Sequence, residues 1–376
     1  MKVLVIGGAG FIGSHTVDLL LERGYEVCIL DALTEPVHQG RQKPDYLPEE
    51  AEFLLGDVRN KGDVGRALEG VDAVFHLAAY QDYLPDFSTF FHVNSVGTAL
   101  LYEVIVEKQL PVQKVVVASS QAVYGEGKYV CTACGGPEGR PVYPDLRPLE
   151  QLERGMWEIL CPLCGAEMTP QWTDEEVVHP QNQYAISKYT QELIALNIGK
   201  RYGIPSVCMR YSIVQGPRQS LRNAYSGACR IFCVSMYFDR APVIYEDGKQ
   251  VRDFVNIGDV ARANLLVLED PRADGEVFNV GGGRKVTVSE FARIVAKCFG
   301  KDIEPEVSGE FRFGDTRHIF SDISTLRTLG WTPQIPVEQS VQEYIAWLET
   351  QPEVEDVSSH ALARMRALNV VRKVSS

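Results

Sequence analysis

Short apolar runs recur through the first third of the chain, as "KVLVI" (2–6), "VCIL" (27–30), "EFLL" (52–55), "AVFHLA" (73–78) and "KVVVA" (114–118). Helical or irregular stretches separate them. Continuous runs of this length, alternating with crossovers, predict strands of a parallel, doubly wound α/β sheet covered on both faces. "SHTVDLLLERG" reads as an amphipathic helix stopped by Gly24, and "NQYAISKYTQELIALNIGKRYG" is helical in pattern. No internal repeat or low-complexity tract breaks the series. The tail from 352 carries a short amphipathic patch with late basic residues, which predicts a frayed helix.

A length of 376 residues suits one large domain with appendages, or two lobes. The formal charge of −13 would repel a phosphate backbone, which argues against nucleic-acid partners. No apolar run is expected to reach membrane-spanning length, and the opening lacks a signal peptide's apolar region. The expectation is a cytoplasmic protein whose nine cysteines stay reduced, favouring metal or structural roles.

The first run leads into "GGAGFIG". Gly7, Gly10 and Gly13 let the backbone approach a pyrophosphate, and the helix that follows points its positive end at the anion. Asp31 ends the second strand, where a carboxylate accepts from both ribose hydroxyls and repels a 2′-phosphate; this selects NAD over NADP. Asp57, after the third strand, could meet the adenine or simply form a turn. Tyr184 and Lys188 are four apart on one helix face, so an ammonium there would favour the phenolate. Ser120 ends the "KVVVASS" strand, at the sheet edge where ligands bind.

"GGAGFIGSH", Asp31, "HLAA", "SSQAVYG", "YAISK", "RDFVNIGDVARA" and "GDTRH...DISTLRTLGW" together resemble the extended short-chain dehydrogenase/reductase family of nucleotide-sugar epimerases and dehydratases, over roughly 1–125 and 180–350. The resemblance implies a Rossmann NAD domain (1–125 and 180–212), a mainly substrate-binding α+β lobe (213–350) and a tail (351–376). It implies Ser120, Tyr184 and Lys188 as catalytic residues. The cofactor would lie against Gly7, Gly10, Phe11, Ile12, Gly13, Asp31, Asp57, Val58, Leu77, Ala78, Ala79, Asn94, Tyr184, Lys188 and Tyr211. Gln81, Tyr83, Gln121, Arg252, Arg312 and Ile319 would meet the substrate, the two arginines at its diphosphate. Relatives pair through helices near 90–108 and 184–202, which implies a homodimer.

Dehydratases of this family carry an Asp-Glu pair where Gln121 and Ala122 stand, so the elimination lacks its acid and base. The chemistry left is 4-epimerisation: a base takes the 4-hydroxyl proton, NAD takes the hydride of carbon 4, and the keto sugar turns over before the hydride returns. Ile213 stands where the family usually has asparagine, and Ile319 gives an apolar pocket position. Within the family the pattern is most similar to the dTDP-L-rhamnose 4-epimerases. UDP-glucose/galactose 4-epimerase is the next reading, then a nucleotide-sugar reductase or dehydrogenase, and last an NAD-sensing scaffold.

Between "VYG" and the Tyr184 helix, residues 126–179 hold "CTACGG" and "CPLCGA". Two C-x-x-C knuckles with tight turns predict a structural Zn²⁺ on Cys131, Cys134, Cys161 and Cys164. A closed four-cysteine site has no open position for catalysis, and the insertion's acidic balance is the wrong sign for nucleic acid.

Overall fold

The computed structural model describes residues 1–82, 85–135, 139–223, 227–356 and 358–374. Strands β1 (Lys2–Ile6), β2 (Glu26–Asp31), β3 (Glu52–Leu55), β4 (Ala73–His76) and β5 (Lys114–Ser120) come first. In the insertion lie β6 (Tyr129–Cys131), β7 (Arg140–Val142) and β8 (Thr169–Pro170). Then follow β9 (Ser206–Tyr211), β10 (Ile213–Gln215), β11 (Val243–Ile244), β12 (Val251–Asn256), β13 (Val277–Val280) and β14 (Lys285–Thr287), and β15 (Glu306–Val307), β16 (Phe311–Arg312) and β17 (Val371–Arg372) close the series.

The main sheet has seven strands in the order β13-β9-β5-β4-β1-β2-β3, every pair parallel. Its strands read as unbroken apolar runs because alternate residues enter different cores. Val3, Val5 and Ile29 face one layer, while Leu4, Ile6 and Leu30 face the other. Helices Phe11–Glu22 and Ile257–Glu269 cover the first face, and Gly97–Glu107 and Gln183–Tyr202 the second. Since the strands run one way, the glycine turn, Asp31, the Leu77–Ala79 segment and Ser120 all reach the carboxyl edge.

A smaller sheet, β10-β12-β14, packs with helices Ala228–Tyr237, Val288–Cys298 and Val337–Glu349 around its own core. The insertion forms a third sheet, β7-β6-β8, antiparallel throughout.

Two expectations are corrected. Residues Phe87–Glu107 form a continuous 21-residue helical stretch of mean hydropathy 1.2, long and apolar enough to cross a membrane; half of it is buried against the protein itself, where it packs on Gln183–Tyr202. The tail is not frayed: Ser358–Ala367 is helical, and β17 pairs antiparallel with β16, with Val371 buried. Ala361, Met365 and Val371 are the buried positions of "ALARMRALNVV", whereas Leu368 is exposed.

Candidate active site and metal centre

Gly7 has φ +82°, and a Cβ there would meet the Ala78 nitrogen at 2.6 Å; at Gly13 it would lie 2.1 Å from the Gly7 oxygen. The turn is thus closed on its inner side by Leu77–Ala78 and by its own backbone. Gly10 begins the helix Phe11–Glu22 with no side-chain cap and no acid in the first turn, so the N–H groups near Phe11 and Ile12 stay available to an anion. Asp31 accepts from the N–H groups of Ala9 (3.0 Å) and Leu33 (2.9 Å), which fixes its carboxylate beside the turn. A carboxylate has about four lone-pair sites, leaving room for ribose hydroxyls. These features fit NAD.

The helix Gln183–Tyr202 is capped at its start by the Asn182 side chain, 2.9 Å from the Ala185 nitrogen, and ends at Gly203 in the left-handed conformation. It packs along β5, which places the Tyr184 hydroxyl beside Ser120, close enough for Ser120 to ease its proton affinity downward. One turn on, Lys188 is 1 % exposed and its ammonium has no hydrogen-bond partner among the described residues. The nearest carboxylate, Glu192, is engaged by the Arg210 guanidinium at 2.8 and 2.9 Å and by the Ser119 hydroxyl. His76, fully buried beside Thr98 (2.9 Å), is held neutral, pushed down to about 3 by burial and then by Lys188.

Burial therefore decides both proton affinities. It pushes the Tyr184 hydroxyl up to about 12, the Ser120 bond easing this only in part, and pulls Lys188 down to about 7. The expected lowering of the tyrosine by its cationic neighbour is not seen: burial dominates, and it is Ser120 that eases it. An orphaned buried ammonium beside a strand end is nonetheless a fit for a polar ligand such as a ribose.

The other positions divide. Val58 is buried against Gly97, and Asp57 is held by Arg59 through both oxygens. Asn94 donates to Tyr80 O and Ser187 Oγ, so both amide hydrogens serve the fold. The Tyr211 hydroxyl donates to Asn264 at 2.7 Å, within the core. Gln121 is buried with Oε1 unpartnered, whereas Gln81 is exposed. Tyr83 lies outside the described residues. Ile319 is 5 % exposed, packed with Val123 and Tyr124. Arg252 donates to the carbonyls of Val251 (2.9 Å), Thr316 (2.6 Å) and Arg317 (2.9 Å), and Arg312 pairs with Asp315 at 2.7 Å over the Tyr245 ring.

In the insertion, the sulfurs of Cys131, Cys134, Cys161 and Cys164 all lie within 4.8 Å of one another, with neighbouring pairs at 3.5, 3.6 and 3.7 Å. Thiolates about 2.3 Å from a tetrahedral zinc ion stand about 3.8 Å apart. Without a metal the four thiols divide: the N–H groups of Leu163 and Cys164 hold Cys161 down to about 6, while the neighbouring sulfurs push Cys134 up to about 12. Tyr129, Ile159 and Met168 form a core too small to fold alone beside these cysteines.

Sequence reasoning missed a set of charges joining this insertion to the C-terminal segments around 246 and 317: Glu126, Arg147, Glu246 and Arg317, all buried, and the partly exposed Glu158. Glu246, Glu158 and Glu126 lie 71, 159 and 191 residues from Arg317 in sequence, so each reads alone as a solvated surface charge.

The model of the NAD dependent epimerase/dehydratase family matches residues 3–143 and 164–281. A dTDP-L-rhamnose 4-epimerase of Burkholderia thailandensis is 34 % identical over 92 % of this chain and 94 % of its own length. A putative UDP-glucose 4-epimerase of Methanocaldococcus jannaschii is 31 % identical over 92 % and 98 %. Among solved structures, UDP-glucose 4-epimerase of Thermotoga maritima with UDP-glucose superposes with a TM-score of 0.76 at 29 % identity, covering 94 % of this chain and all of that one. UDP-glucuronic acid 4-epimerase of Bacillus cereus with NAD gives 0.73 at 25 %, with 94 % and 100 % covered.

Proposed function

The chain belongs to the NAD-dependent epimerase/dehydratase family, and from that premise we propose that it is a nucleotide-sugar 4-epimerase acting on dTDP-L-rhamnose or a related deoxyhexose nucleotide. The observation that carries this reading is the Lys188 ammonium, buried without a hydrogen-bond partner among the described residues, one helical turn from a tyrosine that stands beside Ser120. Tyr184 takes the proton of the sugar's 4-hydroxyl, and Ser120 holds the same oxygen. Lys188 holds the nicotinamide ribose and, when protonated, favours the phenolate. Bound NAD supplies the acceptor, and then the donor, for the hydrogen of carbon 4. Gln121 and Ala122 offer no acid–base pair, which keeps the reaction from elimination. The buried, apolar Ile319 favours a deoxy position over a hydroxylated one.

The sulfur spacing supports a structural Zn²⁺ on Cys131, Cys134, Cys161 and Cys164. Exposed Phe87, Val96, Ile186 and Leu193 give the helices near 90–108 and 184–202 an apolar outer face, which supports a homodimer. The reduced thiols and acidic charge suit a cytoplasmic enzyme without nucleic-acid or membrane partners. The test is to incubate the purified protein with dTDP-, UDP- and GDP-sugars without added coenzyme. Conversion of dTDP-L-rhamnose to its 4-epimer is expected; preference for UDP-glucose would move the assignment to that sugar, and conversion of none would end it. Elemental analysis should find about one zinc per chain.

A further inference from the structure

The insertion reaches both arginines that stand over the candidate diphosphate position, through two separate relays. In the first, Glu158 accepts from Arg317 at 2.5 and 3.2 Å through Oε1, and lies 3.0 Å from His318 Nε2 through Oε2. The Val251 N–H donates to His318 Nδ1 at 3.0 Å, so the ring proton sits on Nε2 and points at Glu158. Residues 316–319 are thereby held by their side chains from the insertion and by the Ile319 N–H on the Val251 carbonyl at 3.1 Å. The carbonyls of Thr316 and Arg317, with that of Val251, are the acceptors of Arg252.

In the second relay, Arg147 forks onto Glu246 at 2.8 and 3.0 Å and donates to the Asp315 carbonyl at 2.7 Å. Asp315 in turn holds Arg312 Nε. Glu246 sits at φ +54°, a left-handed conformation that costs free energy in a residue with a side chain and persists only where its surroundings hold it. Arg147 and Arg317 are what hold it, both almost wholly buried.

We propose that Glu158 and Arg147 are positioning residues for the substrate: the inserted ribbon sets the attitude of Arg252, Arg312 and the Ile319 wall, and so sets affinity for the nucleoside diphosphate. This rests on the reading of the protein as a nucleotide-sugar enzyme. Neither side chain touches the coenzyme site, so the effect falls on substrate binding and leaves the proton and hydride steps alone.

The experiment is Glu158→Ala in the NAD-loaded enzyme, read by steady-state kinetics and by calorimetric binding of dTDP and UDP. KM and the nucleotide dissociation constant are expected to rise together by about tenfold, with kcat within about twofold and coenzyme content unchanged. Glu158→Gln, isosteric and still able to accept one bond, should give a smaller rise. It is the variant to read if Glu158→Ala does not fold. Unchanged KM and nucleotide binding in the folded variant, or a fall in kcat with KM unchanged, would overturn the proposal. If the wild type itself binds no nucleoside diphosphate and converts no sugar nucleotide, the functional reading fails instead.

Discussion

Lys188 and Arg317 are equally buried, and their surroundings treat the charge in opposite ways. Around Lys188 the carboxylate that raises its proton affinity among the described residues, Glu192, already belongs to Arg210, so burial pulls the amine down to about 7. Around Arg317, burial alone would lower the proton affinity, but Asp247 and Glu158 outweigh it and the guanidinium stays charged. A buried ion with partners fastens two parts of a fold; one without partners is a strained group waiting for a ligand. The difference separates the candidate chemistry from the scaffold more sharply than residue type does. Glu126 stands between the two cases: it accepts from the Arg317 N–H at 2.7 Å, yet its other oxygen lies 3.6 Å from Arg147 Nε, and burial pushes it up to about 7.

The contrast can be broken first at the tyrosine. Tyr184→Phe should lower kcat by about 10²–10⁴-fold with the melting curve and coenzyme content preserved, since a general base contributes that much; an equally active variant would remove Tyr184 from the chemistry. Arg317→Ala leaves Glu158, Glu246 and Asp247 without their shared cation, and thermal or urea unfolding should report a loss of about 3–5 kcal/mol. Lys188→Met should do the reverse in protein stripped of coenzyme, raising its unfolding midpoint by a few degrees while epimerisation is lost. A fall in stability would mean that the lysine has a partner after all.

The smallest effect is a matter of pH. Lys188 keeps its proton up to about 10.5 when unfolded but only to about 7 when folded. The unfolded state therefore binds more protons between those values, and stability of the coenzyme-free protein should rise with pH across that window. Glu158 moves the other way from acid: bonds from His318 and then Arg317 hold it down to about 2, against 4.5 unfolded. Its contribution is full above about 4.5 and is lost as pH falls toward 2, discounted because the carboxylate is partly exposed. Comparing stability–pH curves of wild type with those of Lys188→Met and Glu158→Gln should remove one slope each; a curve unchanged in both variants would contradict the assignment.

The main sheet was legible because its information is local. Apolar runs of four to seven residues, a glycine turn and an i, i+4 pair need no partner to be recognised, and they led to the carboxyl edge where Ser120 and Tyr184 meet. The cysteine knuckles were legible for the same reason. The long apolar stretch 87–107 does not stand out in the sequence because helix and core patterns coincide there, and the tail looks frayed on its own because its strand partner, Phe311–Arg312, is about 60 residues away.

The sequence by itself determined the fold class, the coenzyme turn, the tyrosine–lysine pair and a four-sulfur cluster, since each is written in spacings of a few residues. Only the tertiary structure decided which charges have partners. Whether a carboxylate comes within 3 Å of a given cation depends on how distant segments pack. That packing left Lys188 without a partner among the described residues, fastened Glu158 to Arg317, and joined the inserted ribbon to the segments around 246 and 317.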